Sequence, residues 1–318
     1  MIVVKAGAAF GVLCLVLGAA SLVAGLALGA RRDEPLATRA AAAEPTPSVR
    51  ATVVPTQTPI PTPVATLTPT ATPRSFDQLQ SQVQALMQSA GAEGGVSLIE
   101  LGAGGATWSL NGDESFVAAS TYKLPLLMEE AQDVAAGTAR PTDELCYEPG
   151  DWEDGWFSDY APGTCFTRAE LEHRIGMYSD NTAAHILVRV DGGGDALNAY
   201  ARAHGVSESA FWDPNVTTSA DLARLWQNEA TGRAGGSAAQ RVLYPLLTNT
   251  AYEDGIPAGV PSGTTVVHKI GILDGEVNDA GLVTSGPRGP YVLSVMTEGG
   301  SWSLIAGVAR AVAQFEAA

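Results

Sequence analysis

Lysine is nearly absent from this 318-residue chain: Lys5, Lys123 and Lys269 stand against fifteen arginines. Arginine stays protonated and cannot accept a proton, so a lysine kept in such a background points to chemistry rather than to surface charge. Basic groups as a class are also few. Residues 75–318 hold 12 of the 18 basic and 31 of the 34 acidic side chains, a net charge of −19. A field of that sign repels phosphate backbones and anionic headgroups, which argues against nucleic acid as a partner. Cysteine is equally sparse. Cys14 lies in an apolar run, while Cys146 and Cys165 bracket an acidic loop carrying Trp152, Trp156, Phe157 and Tyr160. No companion His or Cys stands at ligand spacing, so a Cys146–Cys165 disulfide is expected rather than a metal site. Closing that 18-residue gap is worth about 3 kcal/mol by loop entropy. Neither a metal nor an organic cofactor is implied.

Three segments follow from composition. Residues 1–30 include a charge-free run from Ala6 to Ala30, long enough to cross a bilayer. The length favours a single-pass membrane anchor, with secretion after signal cleavage as the alternative, since Ala27-Leu28-Gly29 and the alanines at 40–43 offer small-residue cleavage sites. Residues 31–74 carry a Thr/Pro-rich stretch, with Pro45, Pro47, Pro55, Pro59, Pro61, Pro63, Pro69 and Pro73 interleaved with threonine. Such a stretch cannot bury a core and spans on the order of 90 Å as a polyproline-like stalk. Lys5 on one side of the apolar run and Arg31, Arg32 and Arg39 on the other leave the orientation contested; the stalk favours a domain outside the cell.

Residues 75–318 suffice for one large domain, expected as a monomer. A helix is expected over Ser75–Ala90, with Phe76, Leu79, Val83, Leu86 and Met87 on one stripe, followed by strands Val96–Leu101 and Ala106–Leu110. Thr167–Val190 reads as two helices broken at Tyr178-Ser179-Asp180-Asn181, and Asp191-Gly192-Gly193-Gly194 reads as a stop. Further helices are expected over Thr217–Asn228 and Arg241–Leu247. Strands at Thr264–Ile270, Asp279–Thr284 and Tyr291–Thr297 precede a closing helix at Trp302–Phe315. Strands at both ends enclosing helices imply an α/β fold: one sheet assembled from both chain termini and flanked by helices, plus a helical lobe.

Ser120 and Lys123 lie three residues apart at the mouth of a helix-prone run, Ala118-Ala119-Ser120-Thr121-Tyr122-Lys123-Leu124-Pro125. On a helix they share a face, which puts a candidate base beside a hydroxyl nucleophile. Pro125 cannot donate a backbone bond, so the first turn is expected to be irregular.

Ser120-Thr121-Tyr122-Lys123, Ser179-Asp180-Asn181 and Lys269-Ile270-Gly271 occur in the order and spacing of the three-part signature of class A β-lactamases and penicillin-binding proteins, which the chain resembles over residues 75–318. Both lysines of the domain fall in signature positions. The resemblance implies a β-lactamase/transpeptidase-like fold and acyl transfer through a covalent intermediate, on β-lactams or on cell-wall peptides. Ser120 would attack the carbonyl, Lys123 take its proton, and Ser179 protonate the leaving nitrogen beside Lys269. Asn181 would hold the substrate amide. Backbone N–H groups of Ser120 and Ile272 would form an oxyanion hole, each such donor being worth about 3 kcal/mol. Gly271 would clear the way for substrate. Rival readings are a penicillin-binding-protein-like D,D-peptidase and a peptidoglycan-binding module without turnover.

Two departures qualify the match. Ile270 replaces the family's usual threonine, whose hydroxyl helps hold a substrate carboxylate; one lost bond costs about 1–3 kcal/mol. The Glu-x-x-Leu-Asn loop that activates the deacylating water is missing. In Gly205–Val216 only Glu208 and Asp213 could replace that glutamate, so hydrolysis is expected to show a burst followed by slow turnover.

Overall fold

Apolar residues alternate along the last three strands in two sets, and each set fills a core on one face of a five-stranded sheet. The computed structural model describes residues 75–102 and 105–318. The expected anchor over residues 1–30 and stalk over 31–74 lie outside the described residues; among those described, no helix is long and apolar enough to cross a membrane. The chain opens with α1 (Phe76–Ala90), β1 (Glu93–Glu100) and β2 (Thr107–Leu110), and closes with β7 (Val266–Leu273), β8 (Glu276–Val283), β9 (Tyr291–Glu298) and α9 (Trp302–Ala317). The strands form one antiparallel sheet in the order β2-β1-β9-β8-β7, built from both ends of the domain, with β7 on its edge.

On one face, Val96, Leu98, Leu293 and Val295 pack with Leu79 and Val83 of α1 and Ile305 and Val308 of α9. On the other, Val267, Leu282, Val292 and Met296 meet the helical lobe. That lobe comprises α2 (Lys123–Ala136), α3 (Arg168–Tyr178), α4 (Asn181–Val190), α5 (Gly193–Ala203), α6 (Ser219–Ala230) and α7 (Gly236–Leu246), with α8 (Ile256–Gly259) leading back to β7. Buried Trp226 of α6 donates its indole N–H to the Ala280 carbonyl at 2.9 Å and ties lobe to sheet.

Local chemistry explains the boundaries. A 3-10 turn, Ala119–Tyr122, precedes α2, the irregular opening expected from Pro125; as the third residue of α2 the proline occupies a site whose N–H has no intrahelical acceptor. The helix expected from Thr217 starts later. Val216 and Thr217 form β6, paired antiparallel with β3 (Phe116–Val117), and the Thr218 hydroxyl caps α6 by accepting from the Asp221 N–H at 3.0 Å. The glycine run does stop α4, but Gly192, at φ +104°, turns the chain straight into α5, a helix the sequence reading omitted. Cys146 of β4 (Glu144–Cys146) faces Cys165 of β5 (Cys165–Thr167), and the two form the expected disulfide.

Beneath α2 and α3 lies a buried acidic cluster. One Arg168 Nη1 reaches both Glu130 carboxylate oxygens at 2.6 Å, with Asp191 3.7 Å away and Glu172 buried beside them. Burial, then the hydrogen bond that the protonated carboxyl donates to Glu130 and the charge of Glu130, push the Asp191 carboxyl up to about 8. A carboxyl raised on folding adds stability below its unfolded pKa, and that contribution disappears as pH climbs through the folded value. Between pH 5 and pH 9 the wild-type melting temperature should therefore fall more steeply than that of Asp191→Asn, which keeps a hydrogen-bonding group without the charge. Parallel Tm–pH curves would contradict this assignment.

Candidate active site

The turn bearing Ser120 is gripped from three sides. Asn215 accepts the Ala118 N–H on its backbone oxygen at 2.9 Å and donates its side-chain amide to the Ala119 carbonyl at 2.9 Å. Buried Asn278 of β8 donates to the Val117 carbonyl at 2.9 Å. Gly271 of β7 closes the third side. A Cβ there would lie 2.7 Å from the Ala118 carbonyl oxygen and 3.1 Å from the Thr121 N–H nitrogen. The atoms crowding this glycine thus belong to the serine turn itself, and the glycine is needed for β7 to lie against that turn. Ala119 adopts a positive φ of 48°, a conformation alanine reaches only under such constraint.

Lys123, the first residue of α2, is wholly buried. Its Nζ lies 3.0 Å from Ser120 Oγ, 2.7 Å from the Ser179 carbonyl oxygen and 2.6 Å from Asn181 Oδ1. The last two partners only accept. Donation of the Asn181 Nδ2–H to the Asp154 carbonyl at 2.9 Å fixes the orientation of that amide. A neutral amine has two N–H groups and one lone pair, so two donations leave the lone pair for the Ser120 hydroxyl. Burial provides the neutral form, lowering Lys123 to about 7 against the opposing charges of Glu153 and Asp180.

Ser179 ends α3 in the left-handed region, at φ 58°, which turns its carbonyl to Lys123 and its hydroxyl to Lys269 Nζ at 2.8 Å. Burial, and then the charge of Lys123, hold Lys269 well below a free lysine. Its second bond is to the Ile270 carbonyl at 3.0 Å. The middle residue of the motif, Asp180, is a scaffold. Its carboxylate caps α4 through the Ala183 N–H at 2.9 Å, accepts from Tyr160 OH at 2.6 Å, and takes the Trp156 N–H at 3.2 Å, so that it pins the disulfide-closed loop over the site.

Ile272 is brought to the same place. The His268 N–H bonds the Leu247 carbonyl, outside the sheet, at 2.9 Å. Alternate N–H groups of a strand point the same way, so the Ile272 N–H also faces out from this edge strand, toward the serine turn. The Ser120 N–H, near the start of a 3-10 turn, has no intrahelical acceptor either. The neighbouring His268 is a structural centre: burial alone would lower it, but Asp279 at 2.8 Å and Glu253 at 3.3 Å raise it to about 9.

Ser120 opens onto two limbs of one cleft. A limb of about 340 Å³ is lined by Glu153, His185, Trp212 and Leu273, among others; one of about 400 Å³ is lined by Trp156, Ser179, Tyr252 and Ile270. Asn181 and Ile272 border both. Trp156, exposed, donates its indole N–H to Tyr252 OH at 2.7 Å, which makes an aromatic wall. Glu208 and Asp213 are exposed and line neither limb; the Glu208 N–H bonds Asp221 at 2.9 Å. Glu153 and His185, 2.8 Å apart on the cleft wall, were not singled out from the sequence, because no spacing rule links a loop residue to the first turns of α4. Among the described residues no group of three or more His, Cys, Asp or Glu side chains is arranged to hold a metal ion.

Gly271→Ala should slow acylation of Ser120 by tenfold or more and destabilise the fold by about 1–3 kcal/mol, the usual range for overpacking. Stopped-flow acylation and thermal melts check both, and a variant with wild-type values would show that the turn yields freely.

A family model described as the β-lactamase enzyme family matches residues 78–315. β-Lactamase CTX-M-8 of Citrobacter amalonaticus is 30% identical over 240 residues, 68% of this chain and 80% of its own length. A β-lactamase of Streptomyces albus G is 27% identical over 246 residues, 70% and 78% of the two chains. Among solved structures, a β-lactamase from Sphaerobacter thermophilus superposes with a TM-score of 0.69 at 27% identity, covering 77% of this chain and 98% of that one. PBP-A, of which a mutant is seen as an acyl-enzyme complex with penicillin G, gives 0.70 at 26% identity, covering 74% and 95%. With its fold, its serine turn and this match across most of its length, the chain belongs to the β-lactamase enzyme family.

Proposed function

We infer that this protein is a serine β-lactamase: Ser120 opens the lactam amide through a covalent acyl-enzyme, and water then releases the product. The observation that carries this reading is the buried Lys123 amine, lowered to about 7 and 3.0 Å from Ser120 Oγ, with its two N–H groups already committed. A serine hydroxyl attacks only when its proton has somewhere to go, and here the lone pair of Lys123 receives it. As Ser120 Oγ bonds to the carbonyl carbon, negative charge gathers on the carbonyl oxygen between the Ser120 and Ile272 N–H groups. The lactam C–N bond then breaks. Ser179, poised by Lys269 at 2.8 Å, gives its proton to the departing nitrogen and is reprotonated by the proton that Lys123 took from Ser120, which restores both groups.

Asn181 serves the chemistry indirectly as well, by holding the Lys123 amine while it borders both limbs of the cleft. Ile270 offers no hydroxyl to a substrate carboxylate, so the aromatic wall of Trp156 and Tyr252 carries more of the recognition there. The Cys146–Cys165 disulfide supports an extracytoplasmic setting for the domain, held as a monomer at the membrane by the segment before residue 75.

Incubation with a penicillin should add one acyl group to the intact protein, mapped to the Ser120 peptide and lost in Ser120→Ala. Lys123→Arg should slow acylation nearly as much as Lys123→Ala, by about 100-fold or more, since the role needs a group that can lose a proton. Wild-type acylation rates in the arginine variant would reduce Lys123 to a structural cation.

A further inference from the structure

Glu153 and His185 share one limb of the cleft with Ser120 and have no part in the acylation chemistry above, yet they are built as a site. His185 Nε2 meets Glu153 Oε2 at 2.8 Å, and both side chains line the same cavity as Ser120. The imidazole is held in turn by an edge-on contact with the Trp212 ring, 4.8 Å between centroids. The Glu153 backbone is clamped at both polar groups by one wholly buried hydroxyl. Its N–H donates to Thr182 Oγ1 at 3.1 Å, and Thr182 Oγ1 donates to its carbonyl at 2.7 Å. The adjacent Asp154 carbonyl is fixed by Asn181. This carboxylate is thus anchored to the first turn of α4, the helix that also supplies the Asn181 contact to Lys123.

Only one Glu153 oxygen is taken by His185; the side chain remains 51% exposed, facing water within the cavity. Burial holds the His185 ring below the usual histidine value even against the Glu153 charge, so at neutral pH the ring is neutral and donates its Nε2–H to the carboxylate. Of the charges acting on Lys123, that of Glu153 is the largest, and Glu153 and Ser120 line one cavity.

We propose that Glu153 is the general base that activates water against the Ser120 ester, with His185 as the residue that positions it. Resting on the acyl-enzyme reading of Ser120, the step balances. Glu153 takes one proton from water as the water oxygen bonds to the ester carbonyl carbon, and negative charge moves onto the carbonyl oxygen. The intermediate then collapses, the C–Oγ bond breaks, and the proton on Glu153 passes to Ser120 Oγ, which restores both groups with one water consumed. With a base in place, the slow turnover expected from a Gly205–Val216 loop without its glutamate does not follow.

Rapid-mixing kinetics with a chromogenic cephalosporin, combined with intact-protein mass spectrometry, test this. Glu153→Gln should acylate at close to the wild-type rate but deacylate about 100- to 10,000-fold more slowly, so the Ser120 ester accumulates. His185→Ala should also slow deacylation more than acylation, and His185→Gln, which can still donate to the carboxylate, should recover part of the loss. Glu208→Gln and Asp213→Asn should deacylate normally. Wild-type deacylation in a well-folded Glu153→Gln would overturn the proposal while leaving Ser120 as nucleophile, as would a slow Glu208→Gln or Asp213→Asn. A wild-type protein that forms no ester with any β-lactam would instead remove the acyl-enzyme reading, and this proposal with it.

Discussion

The site depends on taking a primary amine out of water beside a serine. A free lysine is protonated at neutral pH and is useless as a base; burial reverses this because the charged form loses its hydration without gaining a counter-ion in contact. Among the described residues Lys123 has no carboxylate partner within hydrogen-bonding reach, only the Ser179 carbonyl, the Asn181 amide oxygen and Ser120. Glu153 and Asp180 act on it from farther away and offset part of the desolvation, which leaves the amine near neutrality rather than permanently uncharged. Much of the surrounding architecture maintains that balance. The end of α3 presents a carbonyl in a left-handed turn, α4 begins with an asparagine locked to Asp154, and the edge strand seals the turn through a glycine.

A second buried amine makes the arrangement more demanding. Lys269 is also fully buried, and the charge of Lys123 disfavours charge on it. Ser179 stands between them, its carbonyl on one and its hydroxyl on the other, so one residue links the group that removes a proton from the nucleophile to the group that steadies its delivery. The enclosing loop is held from below by Asp180. Gly155 must be glycine there, because a Cβ would lie 2.8 Å from the Asp180 carboxylate.

Much of this was legible in the sequence for reasons that are local. Ser120 and Lys123 share one turn, Ser179-Asp180-Asn181 is an evident break between helices, and the scarcity of lysine singles out the two that matter. The strands of the terminal sheet announce themselves by β-branched alternation, within two or three residues of their observed ends. What escaped depends on contacts between distant segments. The purpose of Gly271 cannot be inferred without knowing that Ala118 packs against it, and Thr217 reads as the start of a helix until β3 is there to pair with it. Glu153 and His185, 32 residues apart, meet only because Thr182 clamps the loop to α4. The α5 helix was obscured by the glycines at its start, whose freedom of φ makes a sharp reversal between helices as easily as it ends one.

The scarcity of lysine makes the central claim directly measurable. In protein labelled with carbon-13 and nitrogen-15 only at lysine, the domain contributes two side-chain signals, from Lys123 and Lys269, and Lys123→Arg assigns them. Following the labelled Cε and Nζ shifts across pH in the free enzyme should show Lys123 titrating at about 7. An inflection above 10, where an exposed lysine titrates, would mean that Lys123 stays charged beside Ser120 and that the proton of the nucleophile goes elsewhere.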